Sequence, residues 1–220
     1  MSRSIAHFLS YLGHPLLVLS YMLLLLMATN PFAFGVSSLA DQKAVVLALS
    51  VFGTTFLIPG LGVALMKPLG LIKSLQMEDK MDRTGPYIIC GVFYLWLFKN
   101  LLSGGYTPVL YSKFVLGATI GLFLSFFINI FTKISAHAVG MGGMAVMVLL
   151  MVLQWSNAAL PLPMFGGVLE INLLSVMAVI ILLAGLVGTA RLALKAHEPP
   201  DLYLGYAVGI ASVLLANVIL

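Results

Sequence analysis

Charge is what this chain has least of. Only 8% of its 220 residues are Asp, Glu, Lys or Arg, and the formal net charge is a modest +4. Soluble domains carry about 25% charged residues, so the scarcity excludes a water-exposed globule. No nucleic-acid partner is expected. Cysteine is nearly as rare: Cys90 stands alone, cannot form an intrachain disulfide, and lies in an apolar run where it reads as packing. Repeats and low-complexity segments are absent, as is any polar stretch long enough to form a separate soluble domain. No cleavable leader is expected. The apolar run at 16–27 is separated from the small residues Ser38-Leu39-Ala40 by Asn30-Pro31-Phe32-Ala33-Phe34, too far for the usual cleavage geometry, so the first helix is expected to remain as an anchor.

What the chain does have is apolar length. It is 61% hydrophobic, with a mean hydropathy of +1.12, and each stretch of about 20 apolar residues can span a bilayer as a helix. The expected fold is an all-α, polytopic membrane helical bundle of six to seven transmembrane helices, a single domain over 1–220. The spans read as 15–34, 44–66, 87–102, 109–131, 138–155, 168–189 and 199–220. Pro15 suits the first turn of its helix, and Pro59-Gly60 should kink the second span. Ser156-Asn157 with Pro161 and Pro163 reads as a loop. Gly117-x3-Gly121 and Gly205-x3-Gly209 have the small-xxx-small spacing of closely packed membrane helices.

The few polar segments are not scattered at random. Those at 67–86, 133–137 and 190–201 follow the second, fourth and sixth spans, so an even number of crossings separates each pair and all three share one face. Together they bring Lys80, Arg83, Lys133 and Arg191, the histidines His137 and His197, the hydroxyl of Ser135 and the carboxylate of Asp201. That face, with the N-terminus, carries eight of the eleven basic residues. Excluding Lys80, Arg83 and Arg191, which have a chemical reason to be there, leaves five against three, too even to fix the orientation by the positive-inside rule.

Ionisable groups beside a bilayer are expensive and mark functional sites. Guanidinium groups match phosphate oxygens in a rigid fork, so Arg83 and Arg191 form a natural phosphate clamp, with Lys80 and Ser135 as further phosphate ligands. Ser135 and His197 each precede a helix start, where free N–H groups favour an anion. His197 can attack phosphorus through one ring nitrogen while the other donates its proton to Asp201. His137 can protonate the leaving alkoxide and later activate water. The cationic side chains supply the charge neutralisation, so no metal or cofactor is required. His7 and His14 read as structural, Lys133 and Lys195 as interfacial side chains reaching for the membrane surface, Lys73 as a solvated loop residue, and Glu198 as a helix cap.

Arg191-x5-His197-x3-Asp201 resembles the third motif of the type-2 phosphatidic acid phosphatase superfamily, Ser-Arg-x5-His-x3-Asp, with Ala190 in place of the serine. Ser135-Ala136-His137 is similar to its second motif, Pro-Ser-Gly-His, with Ile134 for the proline and Ala136 for the glycine. The first motif, Lys-x6-Arg-Pro, is irregular: Gln76 falls where the lysine would stand, and Arg83 is followed by Pro86 rather than an adjacent proline. Lys80 or Lys73 could substitute for that lysine. The resemblance covers roughly 80–209. It implies a metal-independent hydrolase of phosphomonoesters or diphosphates that works through a phosphohistidine.

A site at the ends of apolar helices points to an amphiphilic substrate such as phosphatidic acid, phosphatidylglycerol phosphate or an isoprenyl diphosphate. The expected partners are that lipid phosphate and the surrounding membrane lipids, and a homo-oligomer is compatible with the sequence. The expected location is the cytoplasmic membrane of a bacterium or archaeon. Two rivals remain: a phosphotransferase using the same intermediate, and a catalytically degenerate binding or transport protein, which Ala190, Ala136 and the irregular first motif favour.

Overall fold

The computed structural model describes residues 1–77, 79–105, 107–155 and 159–220. Ser156 and Asn157, expected in a loop, lie outside these, as does Glu78. Among the described residues, seven helical segments are long and apolar enough to cross a membrane, and the chain is an all-α polytopic bundle with one small sheet.

The first crossing begins earlier than the expected residue 15. Helix α1, Arg3–Leu12, is capped by the Ser2 hydroxyl and ends at Gly13. His14 then caps a single 3₁₀ turn, Pro15–Leu17, and α2 continues over Val18–Thr29. The 2–14 segment looks too polar for a span because its polar residues share the helix with apolar ones. Ala6 and Ser10 are buried, whereas Ile5, Phe8 and Tyr11 are exposed. Gly13 is needed for the close approach: a Cβ there would lie 2.5 Å from the side chain of Val187.

The second crossing comprises α3, Gln42–Phe52, and α4, Ile58–Met66, joined by a π-helical turn at Gly53–Leu57. The kink expected at Pro59-Gly60 thus takes the form of a widened turn just upstream. Pro59 has no N–H and crowds the carbonyl four residues before it, and one extra residue per turn relieves both problems. Thr54 and Thr55 donate their hydroxyls to the carbonyls of Ser50 and Val51 (2.7 and 2.9 Å), so the loosened backbone stays satisfied.

Helices α5, Thr84–Gly104, α6, Val109–Phe131, and α7, Ala136–Gln154, follow. The expected loop around Pro161 and Pro163 is instead a two-stranded antiparallel hairpin, β1 (Ala159–Met164) and β2 (Gly167–Asn172), turning at Gly166. Proline is tolerated on such an edge strand. The sixth crossing therefore starts later than residue 168, as α8 over Leu173–Ala193, and α9, Pro199–Ile219, completes the bundle.

Helix α9 packs against both α6 and α7. A Cβ at Gly205 would lie 2.7 Å from the Ser135 carbonyl oxygen, and one at Gly209 would collide with the Val139 carbonyl. Gly205-x3-Gly209 is thus a backbone contact surface, as its spacing suggests. Its consequence is chemical, because it presses the start of α7 against the start of α9. The Ser135 N–H donates to the Asp201 carbonyl across that junction (3.2 Å).

Candidate active site

The Arg-x5-His spacing has a local structural cause. Helix α8 closes with two bonds of a Schellman motif: Lys195 N–H donates to the Leu192 carbonyl (2.9 Å) and Ala196 N–H to that of Arg191 (3.1 Å). Lys195 occupies the left-handed position, with φ of 53°, where glycine is usual. The chain reverses there, so the last turn of α8 carries Arg191 and the next two residues deliver His197 to the start of α9. Pro199 opens that helix with the φ it needs and no wasted N–H.

His197 and Asp201 stand one helical turn apart, with Nδ1 3.0 Å from Oδ2. The same carboxylate oxygen accepts the Glu198 N–H (3.2 Å), which fixes it from the backbone side. A carboxylate only accepts, so Nδ1 carries the hydrogen and Nε2 holds the free lone pair. The imidazole is nearly enclosed, its side chain 2% exposed. Burial is the largest influence on it and pushes it down; the Asp201 hydrogen bond pulls it up, and the charges of Arg83 and Arg191 push it down again, to about 4. His197 is therefore neutral at pH 7 and nucleophilic in form.

Arg83 reaches the same region from just ahead of α5. Its Nε donates to the Met77 carbonyl (3.1 Å) and its NH1 to that of Ile134 (3.0 Å), so the loop and the approach to α7 hold the guanidinium between them. Ser135 is fully buried and acts as the N-cap of α7, its hydroxyl accepting the Ala138 N–H (3.4 Å). Lys80 is engaged elsewhere. Its ammonium donates to the carbonyls of Ile130 and Phe131 (2.8 and 3.2 Å), so it caps the end of α6 instead of joining the arginines. Lys73, the other candidate for the first-motif lysine, pairs with Asp79 in solvent (2.9 Å). Such an exposed pair contributes little.

Two further neighbours of the cluster, Ser10 on α1 and His14 just beyond its end, come from the N-terminal segment. Arg191 donates through NH1 to the Ser10 hydroxyl (2.6 Å). His137 Nε2 lies 3.1 Å from the Ser10 carbonyl oxygen and 3.4 Å from its hydroxyl. A carbonyl cannot donate, so Nε2 of His137 carries the hydrogen and Nδ1 is left as the acceptor. His14, read as structural, places its ring edge-on to that of His137, with centroids 5.7 Å apart, while its Nδ1 accepts the Leu16 N–H (3.3 Å). The four-residue spacing of Ser10 and His14 does not put them on one helix face, because α1 ends at Gly13 and His14 is extended, with φ −62° and ψ 129°. His7 is exposed and stacks only on Tyr11.

The cluster thus holds two guanidinium groups, Arg83 and Arg191, and neither is paired with a carboxylate. Among the described residues the only ion pair is Lys73–Asp79, since the neutral His197 meets Asp201 through a hydrogen bond. Arg191 Nε is buried and has no hydrogen-bond partner. A buried donor without an acceptor costs about 1–3 kcal/mol, and an anionic oxygen would recover it. No group of three or more His, Cys, Asp or Glu among the described residues is arranged to hold a metal. Two open clefts lie away from the cluster: one of about 520 Å³ between α3 and α5, and one of about 310 Å³ between α2 and α3.

Fold and geometry together define the chain as a polytopic helical membrane protein with an enclosed cluster of Arg83, Arg191, His197 and Asp201 at one end of its bundle. Compared with protein-family models, curated proteins and solved structures, it matches none.

Proposed function

We propose that this protein is a metal-independent membrane phosphatase that hydrolyses the phosphomonoester or diphosphate of a lipid through a phosphohistidine. The observation that carries the proposal is the His197–Asp201 pair, its imidazole neutral beside two arginines that no carboxylate pairs, one of which has a buried orphan donor. This is the constellation of nucleophile, orienting carboxylate and anion clamp that phosphoryl transfer to histidine needs. The likeness of 190–201 to the third type-2 phosphatidic acid phosphatase motif agrees with it.

His197 Nε2 attacks phosphorus and forms a P–N bond as the P–O bond to the lipid breaks. On binding, the phosphate monoanion of the substrate gives its proton to the free Nδ1 of His137, and the leaving alkoxide takes that proton from Nδ1, which leaves the ring neutral again. His137 then accepts a proton from water at Nδ1 as that water attacks phosphorus, breaks the P–N bond and releases phosphate. Arg83 and Arg191 stabilise the charge that builds on the equatorial oxygens. The polar cluster sits where apolar helices end, which suits a substrate with its phosphate at the polar mouth and its chains in lipid. We place the protein in a cytoplasmic membrane.

A second reading, a binder that has lost turnover, draws on the enclosure of His197 and on Ala190. Phosphate release by the detergent-purified chain, with phosphatidic acid, phosphatidylglycerol phosphate and isoprenyl diphosphates in EDTA, separates the two. Release by wild type and none by a folded His197→Ala is the expected result. EDTA inhibition reversed by Mg²⁺ would rule out the mechanism. Silence from wild type across all three substrates favours the binder, or a phosphotransferase if an added alcohol acceptor becomes phosphorylated.

A further inference from the structure

We infer that Ser10, on the N-terminal helix, is a phosphate-binding residue and supplies the hydroxyl that Ala190 cannot; this rests on the phosphatase reading above. Residue 190 precedes the clamp arginine, is completely buried, and offers only a methyl group. From 181 positions away in sequence, Ser10 brings an oxygen to 2.6 Å from Arg191 NH1.

The hydrogen-bond pattern of Ser10 is what sets it apart. Although the buried Ser20 hydroxyl has no partner, many hydroxyls in these helices return to the carbonyl four residues earlier. Thr29, Thr119, Ser125, Thr189 and Ser212 all do so, at 2.6–2.8 Å. Ser10 does not. The partners of its hydroxyl are Arg191 and His137, and each presents a hydrogen to it: Arg191 has only donors, and His137 Nε2 is protonated against the Ser10 carbonyl. The Ser10 oxygen therefore accepts, and its own hydrogen has no acceptor among the described residues.

Arg191 Nε, on the same guanidinium, is the second buried donor without a partner. Two neighbouring orphan donors on one buried arginine–serine pair fit an oxygen-rich anion that accepts from both. With His197 Nε2 as the attacking atom, that anion is the phosphoryl group. Helix α1 is then part of the site, held against α8 by the close approach at Gly13.

The test uses the full-length detergent-purified protein and inorganic phosphate as a competitive inhibitor of lipid-phosphate hydrolysis. Ser10→Ala should raise both the inhibition constant for inorganic phosphate and KM by about tenfold or more, the size of one charge-assisted hydrogen bond. The change in kcat should be smaller and the thermal midpoint unchanged. Ser10→Thr, which keeps the hydroxyl, should restore phosphate affinity. Should Ser10→Ala fold poorly, Ser10→Cys, similar in size but a weak donor, takes its place and should show the same loss. An active wild type whose Ser10→Ala and Ser10→Cys forms bind phosphate normally would overturn the inference alone. A wild type that neither hydrolyses lipid phosphates nor binds phosphate would overturn the underlying reading and the inference with it.

Discussion

The imidazole of His197 is where burial, hydrogen bonding and charge meet. An ordinary histidine titrates near 6.5, and this one is pushed down to about 4 because burial and two arginines outweigh Asp201. The sign is specific: a lowered value means the ring is already neutral at mildly acidic pH and gains its proton only as pH falls through about 4. Imidazole ¹⁵N shifts of His197, followed in detergent, should show a neutral ring with the hydrogen on Nδ1 down to about pH 5; titration near 6.5 would disprove the enclosed site. Asp201→Asn removes the charge that fixes this tautomer but keeps an oxygen for the Glu198 N–H. We expect turnover to drop sharply while KM changes little, and unchanged kcat would remove the orienting role from Asp201.

Among the elements, the α8–α9 junction has the most exacting backbone. A non-glycine residue in the left-handed region costs roughly 1–2 kcal/mol, and Lys195 adopts it because the Schellman bonds and the Pro199 start on either side determine the turn. Lys195→Gly should fit this backbone without strain and leave turnover within about twofold, or raise the thermal midpoint. Lys195→Val, branched at Cβ, should lower both stability and kcat by displacing His197 relative to Arg191. Equal behaviour of the two variants would show that the junction does not position the nucleophile. A comparable constraint acts between helices, where Gly205 and Gly209 let α9 meet the backbone of α7 and so join Ser135 to Asp201.

For the molecule as a whole, the topology makes a prediction independent of chemistry. Seven crossings place the loop bearing Lys73 and the junction bearing Lys195 on one side, and the hairpin tip at Phe165 on the other. Cys90 is buried at 6% exposure and gives a quiet background. In sealed vesicles, an impermeant thiol reagent should therefore label Lys73→Cys and Lys195→Cys from the same side and Phe165→Cys from the opposite side. Labelling of all three from one side would break the even-crossing argument that unites the site. The same measurement fixes its orientation, which a basic count of five against three leaves open.

Sequence alone determined the helical crossings, the shared face of three polar segments, and the His197–Asp201 pair, because each depends on spacing along one chain segment. Apolar length sets a span, parity sets a face, and the four-residue turn of a helix sets a hydrogen bond. Only the tertiary structure decided that Ser10 meets Arg191 and His14 meets His137, that Lys80 caps α6, and that the π-turn absorbs Pro59. The first two are contacts between elements far apart in sequence, which leave no periodic trace. The third is a choice between a bend and an extra residue per turn, made by packing and by the hydroxyls of Thr54 and Thr55.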